Sequence, residues 1–159
     1  MTPDHHKRGG AAVAALNRLE AWEAALVLNL RLWSEGPSGQ RHVRSEFDIA
    51  LGHDEADRAW QDFDGLLRRI IATASRPMVR HDVGCNCVGS DECVFAHLVR
   101  TASDGHLNDA ALIATLLVGP AHAEHVAILA GHVGQCVRHI HKTHGALPTE
   151  DTRKVVRFH

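Results

Sequence analysis

The chain has 159 residues, 45% hydrophobic and 23% charged, with a formal net charge of −2 when its histidines are neutral. That length suits one domain able to bury a core without covalent staples, so the four cysteines are not needed as disulfide bracing. The charge balance lacks the basic footprint of a nucleic-acid-binding domain, and no nucleic acid is expected as a partner.

Residues 1–10, MTPDHHKRGG, are polar and glycine-ended and read as a flexible N-terminus. The next stretch carries Asn17, Arg18, Glu20 and Glu23, charges that a signal-peptide core does not tolerate. No apolar run reaches the roughly 18 residues of a membrane-spanning helix. These features place the chain in the cytoplasm, away from membranes. In a reducing compartment clustered cysteines favour metal or redox chemistry over structural disulfides.

The periodicity predicts a first helix from about Ala11 to Ser34, with Leu16, Leu19, Trp22, Leu26, Leu30 and Trp33 on one face. Gly36, Pro37 and Gly39 break it. A second helix fits Gln40 to Leu51, with Val43, Phe47 and Ala50 or Leu51 facing in. A third runs from about Asp54 to Ala74, with Ala56, Trp60, Phe63, Leu67, Ile70 and Ile71 on its apolar side. Pro77 closes that region, and residues 77–90 read as a loop.

A fourth helix begins at Ser90 or Asp91, either of which can cap it. It carries Val94, Phe95, Leu98 and Val99 and stops near Gly105. The fifth starts near Asn108, with Leu112, Ile113, Leu116 and Leu117 apolar. Pro120 suits the first turn of a sixth, which runs to about Thr143 with Gly145 as its stop. Nothing alternates with period two over any length. The expected fold class is all-α: an irregular bundle of five or six helices with one cysteine-containing loop, a single domain over residues 11–145. Residues 146–159, with the basic RKVVRFH from Arg153 to His159, read as a loose, solvated tail.

Chemistry concentrates in HDVGCNCVGSDECVFAH, His81 to His97. Cys85 and Cys87 sit between Gly84 and Gly89, in a loop free to turn tightly. Cys93 and His97 are four apart and share a helix face. Two ligands from a loop and two from a helix start fit the tetrahedral thiolate–imidazole shell of structural zinc, with His81, Cys85, Cys87, Cys93 and His97 as candidates. Asp91 and Cys136 compete for the fourth place. An iron–sulfur cluster is the rival cofactor, although the known dense spacings differ. The bland alternative for Cys93 is a small hydrophobe beside Val94 and Phe95. Asp91 and Glu92 read either as a general acid/base beside a catalytic metal or, more simply, as carboxylates matched to a helix N-terminus. Arg80 is a candidate partner for one of them.

A secondary metal candidate lies on the sixth helix. With 3.6 residues per turn, His125, His132, Cys136 and His139 fall within an arc of about 60°. His132, Cys136 and His139 are the best trio for a clasp. Gly131 and Gly134 are expected to loosen that segment, whose bland reading is a solvated flank. One arrangement has this face pack on the cysteine loop and supply its missing ligand.

No GxGxxG or Walker-type loop occurs, nor a GxSxG elbow. The nearest cysteine–histidine dyad is Cys85 or Cys87 with His81. Three functions follow as expectations. The first is a zinc-binding helical protein with a structural or regulatory role, acting through a protein partner or as a homodimer. The second is a thiol or iron–sulfur redox sensor. The third is a metal-dependent enzyme using Asp91 or Glu92 as base.

Overall fold

A computed structural model describes residues 9–145. These form six α-helices and one small two-stranded sheet, a mostly helical bundle as the patterns predict. The expected tail 146–159 and most of the expected flexible start, with His5 and His6, lie outside the described residues. Gly9 and Gly10 belong to that expected start, yet Gly9 is buried and Gly10 half-buried.

The first predicted helix is corrected by the structure. Its opening is a strand, β1 (Ala12–Ala15), followed by a 3-10 turn (Leu16–Arg18) and only then α1 (Ala21–Ser34). Alanines favour helix by a fraction of a kcal/mol per residue, a bias that tertiary partners override. The partner is β2 (Cys87–Gly89), inside the stretch read as loop. The two strands pair antiparallel, with Ala14 opposite Val88 and Ala15 opposite Cys87. The Leu16 N–H extends the pairing to the Asn86 carbonyl at 2.7 Å, and the Ser90 N–H donates to the Ala11 carbonyl at 2.9 Å. Leu16 and Leu19 end up only half-buried, while Trp22, Leu26, Leu30 and Trp33 remain on the buried face of α1.

The remaining helices follow prediction within a few residues. α2 (Pro37–Ala50) starts three residues early, because Pro37 is tolerated in a first turn and Gly36, at φ 104°, supplies a turn that other residues adopt only with strain. α3 spans His53–Thr73, α4 Ser90–Ser103, α5 Leu107–Ala114 and α6 Ala123–Gly145. Pro120 opens a separate 3-10 turn (Pro120–His122) ahead of α6.

The core joins all six helices. Phe63 of α3 meets Phe47 of α2 edge-on at 5.8 Å, and Phe95, Leu98 and Val99 of α4 pack with Val126, Ala130, Val133 and Val137 of α6. Two predicted apolar faces are corrected. Ile71 is 60% exposed, because Phe63, Leu66, Leu67 and Ile70 set the inward arc of α3 and Ile71 lies about 100° further round. Leu112 and Leu116 are 69% and 61% exposed; α5 turns its small residues, Ala110 and Ala114, inward instead.

That choice goes with close helix approach. α4 and α6 form the most extensive helix pairing, and their crossing is built on glycine. A Cβ at Gly134 would lie 2.5 Å from Ser103 Cβ and 2.9 Å from the Val99 carbonyl oxygen. Gly131 faces the Ala102 carbonyl in the same way, at 3.3 Å. These glycines therefore tighten the α6 packing rather than loosening it. No helix among the described residues is long and apolar enough to cross a membrane.

Candidate functional site

The site is organised by an arginine inside an apolar helix. Arg31 lies in LVLNLRLW on α1, and both it and Glu92 are 0% exposed. A guanidinium carries five N–H donors in a fixed fork, and here five hydrogen bonds leave it. Nε donates to Glu92 Oε2 at 2.6 Å and Nη2 to Glu92 Oε1 at 3.0 Å. The others reach backbone carbonyls of the cysteine loop: Cys85 at 2.7 Å, Asp82 at 3.2 Å and Cys87 at 2.6 Å. The hydrogen bond to Glu92 outweighs burial and holds the Arg31 pKa above its ordinary value. The loop is thus wrapped around a buried cation.

Helix α4 supplies the counter-charges. Gly89, rather than Ser90 or Asp91, is its N-cap residue, and Glu92 reaches back to accept from the Gly89 N–H at 3.0 Å. Asp91 accepts two bonds from Arg76, at 2.8 and 2.6 Å, and one from the Val79 N–H at 2.8 Å. Glu92 is therefore spent on Arg31 and the helix start, and Asp91 on anchoring the segment between α3 and β2. Arg80 pairs with neither; its partner is Glu35, at 3.2 Å.

On this frame His81 meets Cys85, four residues on. His81 Nδ1 lies 3.5 Å from the Cys85 sulfur, and Nε2 lies 2.7 Å from the Gly10 carbonyl oxygen. A carbonyl only accepts, so Nε2 carries the proton and Nδ1 faces the sulfur. The Gly10 carbonyl thereby fixes the ring so that its unprotonated nitrogen is the one beside the thiol. The Cys87 N–H also donates to the Cys85 sulfur at 3.4 Å. That bond, followed by the one to His81, holds the Cys85 pKa below the ordinary thiol value. Burial alone would lower the His81 pKa, but the Cys85 sulfur and the Gly10 carbonyl together raise it.

The geometry depends on two glycines. A Cβ at Gly89 would lie 2.9 Å from His81 Cδ2, and one at Gly9 would lie 1.8 Å from Asp91 Oδ2. Any side chain at either position must displace the imidazole or the Asp91 anchor. Gly10, Val79, Arg80, His81, Asp82 and Cys85 line a cleft of about 380 Å³, so the sulfur is reachable from solvent.

Of the five primary ligand candidates, the structure brings His81 and Cys85 side chains together. Cys87 is exposed, and both its N–H and its side chain interact with the Cys85 sulfur. Cys93 is half-buried and His97 exposed on α4. Burial raises the Glu23 pKa on α1, with Arg100 and, more weakly, His97 opposing. Among the described residues no three His, Cys, Asp or Glu side chains are grouped as metal ligands would be.

The trio His132, Cys136 and His139 does not pack on the cysteine loop. It faces α3 across a cleft of about 620 Å³ lined also by Glu55, Arg58, Gln61 and Asp62. Burial, reinforced by Asp62 and Glu55, pushes the Cys136 thiol pKa up, which disfavours the thiolate needed for nucleophilic attack or metal ligation.

Three participants escaped the sequence reading: Arg31, Arg76 and the Gly9–Gly10 pair. Only Arg31 had left a signal, as a charge between Leu30 and Leu32 in a leucine-rich stretch. No protein-family model, curated protein or solved structure matches the chain.

Proposed function

We propose that the chain is a thiol-based redox-responsive protein, in which Cys85 is the attacking thiolate, His81 its base and Cys87 the second thiol. The observation that carries this reading is the His81 ring, whose Nε2–H is fixed on Gly10 O while Nδ1 lies 3.5 Å from the Cys85 sulfur. The pair needs no third side chain to act. All four cysteines are free thiols, as a reducing, cytoplasmic compartment would keep them.

Timed iodoacetamide labelling read by peptide mass spectrometry tests the assignment. Cys85 is expected to react fastest and Cys136 slowest. Replacing His81 by alanine is expected to slow Cys85 about tenfold, the effect of one pKa unit lost from the thiolate, and to leave Cys93 unchanged. Equal rates at Cys85 in the two proteins would refute the base assignment.

A second reading is favoured by the same 3.5 Å separation. Two ligands of tetrahedral zinc, with Zn–N about 2.0 Å and Zn–S about 2.3 Å, lie about 3.5 Å apart. A ligating histidine also commonly donates its other N–H to a carbonyl, as His81 does to Gly10. Under this reading His81 and Cys85 are two of the zinc ligands and Cys87 would have to turn in as a third, with a structural or regulatory role. Untagged protein would then retain one zinc per chain through desalting, lost in a Cys85→Ser variant. Zinc-free protein of unaltered thermal stability would eliminate this alternative.

A further inference from the structure

We infer that the Cys85–Cys87 pair is a latch on the N-terminal segment, and that a disulfide between the two sulfurs releases residues 9–16 from the body. This rests on the thiol reading above and names the regulation that reading would provide.

The segment is held by the loop that carries the thiols and by the first turn of α4. Gly10 O accepts from His81, Ala11 O from the Ser90 N–H, and the Leu16 N–H donates to Asn86 O. Ala14 and Ala15 pair with Val88 and Cys87. No residue of β1 or of the 3-10 turn is buried, so little apolar packing backs these bonds. Gly9, seated against Asp91, is the one buried foothold.

Oxidation acts on those partners directly. With all four thiols free, the Cys85 sulfur accepts from the Cys87 N–H at 3.4 Å. A disulfide instead requires Cβ atoms about 3.5–4.5 Å apart. Closing Cys85–Cys87 therefore breaks that contact and locks Asn86 inside a tight ring. The Asn86 carbonyl holds Leu16, and the next residue pairs with Ala15. The same bond takes away the sulfur that His81 faces while it holds Gly10.

The chemistry balances with a hydroperoxide as oxidant. The Cys85 thiolate attacks one peroxide oxygen and the O–O bond breaks. The leaving alkoxide, or hydroxide, takes a proton, and Cys85 becomes a sulfenic acid. The Cys87 sulfur then attacks Cys85, the S–S bond forms and water departs with the Cys87 proton. Two electrons pass from the sulfurs to the peroxide.

Hydrogen exchange of the full chain, before and after hydrogen peroxide with excess oxidant removed, tests the latch. Intact mass shows loss of two hydrogens when the disulfide forms. Amides of residues 11–16 are expected to exchange about tenfold faster or more in the oxidised protein, as local opening predicts. Protection in α6 is expected to stay unchanged, and dithiothreitol to restore the starting pattern. The Cys87→Ser variant, unable to close the ring, is expected to keep residues 11–16 protected after the same treatment. If the disulfide forms and residues 11–16 stay protected, or if Cys87→Ser releases them equally, the latch is overturned while the thiol reading stands. If both thiols still react with iodoacetamide after peroxide, the thiol reading fails and the latch with it.

Discussion

Replacing Arg31 by methionine is expected to lower the unfolding free energy by about 3–5 kcal/mol, the usual cost of removing one partner from a buried ion pair. Methionine fills similar space, so the loss is not chiefly one of volume. It arises because Glu92, 0% exposed, loses the cation facing both its oxygens. The carbonyls of Asp82, Cys85 and Cys87 also lose their donor. The consequence therefore extends beyond stability: a loop without its central cation no longer fixes His81 against Cys85. Urea unfolding measures the first effect and the Cys85 alkylation rate the second. Arg41 has no hydrogen-bond or ion-pair partner among the described residues and is exposed; Arg41→Met is expected to stay within about 0.5 kcal/mol. Equal effects at the two positions would show that the buried pair does not organise the loop.

Gly134→Ala and Gly65→Ala are expected to move stability in opposite directions, although both exchanges favour helix by up to about 1 kcal/mol. At Gly65 of α3 an added Cβ meets nothing within 4 Å, so the propensity gain of about 0.5–1 kcal/mol is realised. At Gly134 it would lie 2.5 Å from Ser103 Cβ, 2.8 Å from Ser103 Oγ and 2.9 Å from the Val99 carbonyl oxygen. Backbone cannot swing aside as a long side chain can, so α4 and α6 must separate. Such overpacking costs about 1–3 kcal/mol, which exceeds the propensity gain. Ser103→Gly in the same chain removes two of the three obstructing atoms and is expected to restore part of the loss, as coupled neighbours do. Thermal melts of the four proteins decide it: a stabilised Gly134→Ala would show that the crossing has slack.

The helices were legible because the apolar residues recur at steps of three and four, a pattern that only helix brings to one side. Trp22, Leu26, Leu30 and Trp33, or Phe63, Leu67 and Ile70, announce their burial in this way. The loop chemistry was legible in part: His81, Cys85 and Cys87 stand in a segment with no packing reason to carry them. Their division of roles was not. Nothing local distinguishes Cys85, held by His81 and the Cys87 N–H, from Cys87 two residues on.

What the amino-acid order determined by itself is the helical class, the approximate helix boundaries and the place where thiols crowd. What only the tertiary structure decided is every feature that depends on a distant partner. The alanines at 12, 14 and 15 are helix formers until β2 offers a strand to pair with. Glu92 reads as a helix-start carboxylate until Arg31, sixty-one residues away in sequence, is folded against it. Gly134 reads as a weak point in a helix until Ser103 is seen where its side chain would be. Periodicity reports which side of an element turns inward, because burial acts on each element alone. It does not report what lies across from that side. Hydrogen bonds, ion pairs and close approach are set by pairs, and here the deciding partners are far apart in the chain.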